Sequence, residues 1–288
     1  MQLDPITWEK YEACLTHLNA FQAKIPFDQI DATMVARFRN YLASRKGRKG
    51  NMDPATLKSY FDKFKVVIAY AAKKDNLLDK DDLEKFYEDI KISVPKKKEG
   101  QHLEIEELQT LRKLQFGKNE DNLERDRDLF LFQVYTGFYY NDLQIFRKDE
   151  LFRNVEHGYY IIGERDKNGN PTIIPLFKFP YATRVIDKFQ DRDPSSELLF
   201  HKSSFVEIQV YNRNLKTLAK RAGIHRTVSD KTGRHTNAQM WIRSGAERPV
   251  LSKMMGHEKE QTTQNYYKVN LREVIEGTKA VNFEKYAF

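Results

Sequence analysis

Three short stretches toward the C-terminal end hold the side chains best suited to chemistry. They are Lys231-Thr232-Gly233-Arg234-His235, Gly256-His257 and Thr262-Thr263-Gln264-Asn265-Tyr266-Tyr267. An arginine presents a planar fork that can take a phosphate through two hydrogen bonds at once. Lysine and histidine beside it add a charge and a donor. A phenol can act as a nucleophile that forms a covalent intermediate and later leaves. Reading His235 and His257 as metal ligands fails, because no acid or further histidine stands at ligand spacing around them. The single cysteine, Cys14, excludes an internal disulfide framework and any thiolate-based zinc cluster.

The order and spacing of these stretches resemble the tyrosine recombinase (phage integrase) family. Its pattern runs His or Lys, two residues, Arg-His, then Leu-Gly-His, then Thr-Thr and a tyrosine nine residues after that glycine-histidine. Here Tyr266 stands nine residues after His257. Upstream, Lys167 followed by Ile174-Pro175-Leu176 is similar to the family's catalytic-lysine hairpin. The resemblance covers essentially the whole chain and implies a site-specific recombinase or integrase of a mobile element. It implies that Tyr266 is the nucleophile and forms a 3′-phosphotyrosyl bond, with Tyr267 as the alternative. It further implies that Arg234, Lys231 and His257 surround the phosphate, whose transition state gathers charge on non-bridging oxygens. Lys167 would act as general acid toward the leaving 5′-oxygen, and His235 would be structural. The implied partner is double-stranded DNA, on which several protomers would assemble; no metal and no small-molecule cofactor is expected.

One departure from the pattern matters. The family carries its first catalytic arginine in a motif like Thr-Gly-Leu-Arg-x-Ser-Asp/Glu-Leu, whereas this chain reads Thr136-Gly137-Phe138-Tyr139-Tyr140-Asn141-Asp142-Leu143. Tyr139 stands where the arginine would be and brings no positive charge. On sequence proximity, Arg147 and Arg165 are candidates to replace it. The alternative reading is a non-catalytic or degenerate DNA-binding protein on the same fold.

The elements that must carry these residues are mostly helices. Trp8, Tyr11, Leu15, Leu18 and Phe21 recur at helical spacing, and Asp31 reads as an N-cap ahead of Met34, Val35, Phe38, Tyr41 and Leu42. Residues 45–51 read as a polar, glycine-bearing loop. Asp53-Pro54 opens a long stripe of Leu57, Tyr60, Phe61, Phe64, Val67, Ile68 and Ala71, and a short helix is expected near 82–90. The aromatics on these stripes are expected in the core. Further helices are expected at 105–114, 125–135, 141–148, 181–189, 206–222, 231–244 and 249–255. Tyr159–Ile162 and Thr172–Ile174 read as strands around an Asn168-Gly169 turn. The fold class expected is therefore mainly α with a small β-sheet. In family terms that is a helical, SAM-like core-binding domain (1–94), a linker (95–100) and an α+β catalytic domain with a C-terminal tail (101–288).

Charge fits a polyanionic partner. The chain has 288 residues and a formal net charge of +8, and 31% of its residues are charged. Between Arg37 and Lys74 there are 11 Lys/Arg against Asp53 and Asp62, and between Lys202 and Lys253 there are 11 against Glu207, Asp230 and Glu247. Two separated basic blocks, one in each expected domain, suit a clamp on nucleic acid. No apolar run approaches the ~18 residues that span a bilayer, so no membrane association is expected. With no secretory signal visible either, the chain reads as soluble and cytoplasmic. The tail after residue 270 carries Val274, Ile275, Val281, Phe283, Tyr286 and Phe288, enough apolar surface to dock on its own body or on a neighbour.

Overall fold

Periodicity of the apolar residues builds two compact units, Met1–Lys98 and Glu99–Phe288. The computed structural model describes residues 5–47, 50–74, 80–95, 102–164, 169–256 and 271–286. In the first unit α1 (Pro5–Phe21), α2 (Ala32–Ser44), α3 (Pro54–Lys74) and the short α4 (Lys80–Lys85) enclose one core. The Asp31 carboxylate accepts the Met34 N–H at 2.6 Å and so caps α2, and Asp53 accepts from Ala55 and Thr56 at the start of α3. Phe38 stands at the centre, with Phe21 at 5.4 Å and Phe64 at 4.8 Å between ring centroids.

Two expectations for this unit are corrected. Trp8, Leu15 and Val67 are exposed, at 54%, 55% and 44%, rather than in the core. The inner line of α1 runs through Cys14, whose thiol donates to the Tyr60 carbonyl at 3.3 Å. Leu15, one residue on, is turned about 100° away from it, and Trp8, two turns earlier, shares the side of Leu15. Residues 45–51 contain a small hairpin, β1 (Lys46–Gly47) against β2 (Gly50–Asn51), paired Lys46↔Asn51 and Gly47↔Gly50. Gly50, at φ +118°, supplies a backbone angle that side-chain-bearing residues rarely adopt.

The second unit is organised around α6 (Asp121–Thr136), buried from Asp126 to Thr136 on every side. Around it lie α5 (Ile105–Arg112), α8 (Pro180–Phe189), α9 (Ile208–Arg221) and α10 (Asp230–Arg243). Gly233 lets α10 approach α6 closely: a Cβ there would lie 3.0 Å from the Gln133 side chain. The helix expected at 141–148 is only α7 (Tyr140–Ile145), followed by a 3₁₀ turn at Lys148–Glu150. A three-stranded antiparallel sheet follows: β3 (Leu151–Asn154), β4 (Gly158–Glu164) and β5 (Pro171–Ile174), in that order. Its register, Leu151↔Ile161 and Ile161↔Ile174, turns Ile161 and Ile174 into the core. The strand β3 lay outside the sequence reading. Against β5 packs α11 (Arg248–Met255), and α12 (Leu271–Lys279) precedes the final segment. There Phe283 stands against Trp241 at 4.5 Å and Phe179 at 5.1 Å, so this segment docks on its own domain. Among the described residues no helix is long and apolar enough to cross a membrane, and no group of three or more His, Cys, Asp or Glu could hold a metal ion.

Candidate active site

The helix α10 brings Lys231, Arg234 and His235 to one place. Its start is held by two bonds: the Ser229 N–H donates to Thr232 Oγ1 at 3.0 Å, and the Asp230 N–H to Asn212 Oδ1 at 2.9 Å. The far side of the helix is braced by the chain entering the domain, where the Leu103 N–H donates to Thr236 Oγ1 at 3.0 Å. Lys231 is exposed, whereas Arg234, three residues on, is buried. His235 is held below the ordinary imidazole range by partial desolvation and by the charges of Arg234, Lys231 and His102. This end of α10 is therefore a cationic locus that disfavours the protonated form of the imidazole beside it.

Arg234 is the meeting point of three motifs that are distant in sequence. It donates from Nη1 to the Gly137 carbonyl at 2.8 Å and from Nη2 to the Met255 carbonyl at 2.5 Å. Both carbonyls lie at helix C-termini closed by left-handed glycines, Gly137 at φ +74° for α6 and Gly256 at φ +58° for α11. A cation is favoured there because the last carbonyls of a helix lack intrahelical donors and carry the negative end of its dipole. The turn leading into β5 joins the same point, since Asn170 Nδ2 donates to the Gly256 carbonyl at 3.2 Å. One guanidinium thus ties the Thr136-Gly137 segment to the segment ending at Gly256, and that second segment in turn holds the base of the β4–β5 hairpin.

Tyr139 is half-buried at the start of α7, its N–H donating to the Asp142 carboxylate at 2.6 Å. Its ring lies under Arg234, with the guanidinium carbon 5.0 Å from the ring centroid. Arg147, a candidate to replace the missing arginine, is engaged by carboxylates. Its fork is closed by Asp149 through two bonds of 2.9 Å, and Nη1 donates to Glu197 at 2.9 Å. These carboxylates hold its pKa further above the ordinary guanidinium value. Arg165, Lys167, His257, Tyr266 and Tyr267 lie outside the described residues.

Within the basic block from Lys202 to Lys253 the structure singles out two cationic features. Arg213, Lys216 and Lys220 line the exposed face of α9 at helical spacing, without an ion-pair partner among the described residues. The signal was present in their spacing, but a block count conceals which face bears the charge. Lys253, half-buried on α11, is likewise without a carboxylate partner among the described residues, and burial holds it below the ordinary lysine range.

Comparison with known proteins agrees with this architecture. Residues 2–88 match the phage integrase SAM-like domain and residues 102–273 match the phage integrase family. A tyrosine recombinase XerD of Listeria monocytogenes serotype 4b (strain F2365) is 26% identical over 190 residues, which is 62% of this chain and 61% of that protein. A tyrosine recombinase XerD of Rhizobium meliloti (strain 1021) is 32% identical over 118 residues, 39% of this chain and 38% of that protein. The chain thus spans about six tenths of the length of the first of these relatives. The fold is similar to that of the Tn1549 transposon integrase in complex with transposon right end DNA, with a TM-score of 0.64 at 16% identity, covering 96% of this chain and 94% of that one. It is also similar to that of the XerH site-specific recombinase bound to difH substrate, with a TM-score of 0.59 at 16% identity, covering 94% and 78%. With one family match over the helical unit and a second over well more than half of the chain, this protein belongs to the phage integrase family of tyrosine recombinases.

Proposed function

We propose that this protein cuts and rejoins double-stranded DNA at specific sites, with Tyr266 as the nucleophile. The observation that carries the reading is the convergence at Arg234: its guanidinium bonds residues 137 and 255, which belong to two other motifs, and residue 170 of the β4–β5 turn bonds the neighbouring Gly256. A phosphodiester beside it would receive a fixed cation where the transition state gathers charge. Attack of the Tyr266 phenol oxygen on phosphorus forms the 3′-phosphotyrosyl bond, releases the phenol proton and breaks the bond to the 5′-oxygen. Lys167 supplies the proton that oxygen needs, and Lys231 and His257 flank the phosphate. No water is consumed, so the bond energy is kept and a 5′-hydroxyl from another strand can reverse the step. Exchange between two duplexes requires several protomers on the DNA. The cationic face of α9 and the two basic blocks support the DNA partner.

A second reading is favoured by one observation, the tyrosine in place of the first arginine. Loss of one charge-assisted donor in such a site costs about 100- to 1000-fold in rate, and a chain that has lost it could bind DNA without cutting it. Incubation with a pool of nicked suicide duplexes of randomised sequence separates the two. A covalent protein–DNA band that resists denaturation is expected. Its absence from the pool, with DNA binding intact, moves the assignment to the non-catalytic reading.

A further inference from the structure

A guanidinium as deeply buried as that of Arg234, at 7% exposure, has to be held by several partners together. Its two terminal nitrogens are bonded to carbonyls at the ends of two different helices, Gly137 and Met255. Those two anchors by themselves do not oppose a rocking of the plane about the line joining those nitrogens. The Tyr139 ring opposes that motion, since the guanidinium carbon stands over it at 5.0 Å from the ring centroid. The ring is itself mounted on a braced segment. The Tyr139 N–H is bonded to Asp142, and the Phe138 carbonyl before it accepts from Gln133 Nε2 at 3.2 Å. Gln133 in turn accepts from the Tyr211 hydroxyl at 2.7 Å.

We propose that Tyr139 is a positioning residue for Arg234, its ring being the platform that fixes the plane of the phosphate-binding fork. The inference rests on the reading that Arg234 faces a DNA phosphate. It gives the departure from the family motif a physical role. An arginine at 139 would repel Arg234 until a phosphate lay between them, whereas the negative face of an aromatic ring attracts the guanidinium with no phosphate present. Tyr139 therefore assembles this part of the site before DNA arrives, at the cost of one charge when the phosphate is bound.

The full chain tests this in its native form and as Tyr139→Phe and Tyr139→Leu. The arginine side-chain N–H signals are read by ¹⁵N NMR, with Arg234→Lys used only to assign them, while inorganic phosphate is titrated in. In the native chain the Arg234 signals are expected upfield, shifted by the ring current, and Tyr139→Phe keeps both that shift and the phosphate affinity. Tyr139→Leu loses the shift and binds phosphate about 2- to 30-fold more weakly, the range expected for a cation–π contact. Covalent trapping on the nicked pool slows by the same factor in Tyr139→Leu and not in Tyr139→Phe. Equal phosphate affinity in Tyr139→Leu and the native chain overturns the proposal, as does a loss in Tyr139→Phe that matches the loss in Tyr139→Leu. An Arg234 signal without ring shift in the native chain, or one that phosphate never moves, also overturns it, and neither result depends on whether the leucine variant folds. If the native chain traps no DNA, the strand-cutting reading falls, while the phosphate titration still decides the role of Tyr139.

Discussion

Under the proposed function Arg234 joins stability to chemistry in one side chain, so its replacement is expected to show in two measurements. Truncation leaves the Gly137 and Met255 carbonyls buried without their donor. A buried acceptor left unpaired costs about 1–3 kcal/mol, so Arg234→Ala should lower the urea midpoint at unchanged slope and lower DNA cleavage by orders of magnitude. Tyr266→Phe makes the opposite contrast. Only the phenol oxygen is removed, so the covalent band on the nicked pool should vanish while DNA affinity holds. Tyr267→Phe should keep the band; the reverse pattern would make Tyr267 the nucleophile.

Helix ends rather than helix middles decide whether this site can assemble. Gly137 closes α6 at φ +74°, and a Cβ there would meet Asn237 Oδ1 at 2.9 Å and Met255 Sδ at 3.0 Å. Asn237 cannot easily swing aside, because its Nδ2 is bonded to the Val134 carbonyl at 2.7 Å. Gly137→Ala combines left-handed strain with overpacking and should cost about 2–4 kcal/mol in a denaturant melt. The other end of α6 is tied to α9 by an exposed pair, Glu120 and Arg221. The Arg221 guanidinium and then the Gly117 N–H pull the Glu120 carboxyl from its ordinary 4.5 to about 2. A carboxyl whose folded pKa is depressed stabilises the fold above its unfolded value and loses that contribution as pH falls toward the folded value. Thermal melts should therefore show a Glu120-dependent loss of stability between about pH 4.5 and pH 2. Glu120→Gln should remove that component of the pH dependence and leave the rest.

For the whole molecule the proposal predicts strongly salt-dependent DNA binding. Contacts from both basic blocks would give a log–log slope of about −5 to −8 at about 0.9 per phosphate. Replacing Arg213, Lys216 and Lys220 together by glutamine should flatten the slope by roughly 2 to 3 if α9 faces the phosphates, measured by fluorescence anisotropy from low to moderate salt. An unchanged slope would make that stripe a solvated helix face.

Much of this protein was legible in its sequence because the relevant signals are local. A helix needs only its own period, so α5, α6, α8, α9, α10 and α11 stand within a few residues of expectation. An Asn-Gly turn between β-rich runs sufficed for β4 and β5, and the order of short motifs sufficed for the family. Long-range packing decided the rest. Trp8 and Leu15 fit a helical stripe, but which side of α1 is buried depends on what α3 presents to it. Arg147 looked available until the chain brought Glu197 to it from fifty residues away. Tyr139 reads in sequence only as a missing charge. Its contact with Arg234 exists because Gly137 turns the chain out of α6 while Gly233 lets α10 lie close against that helix, and such a meeting of distant segments leaves no local period to read.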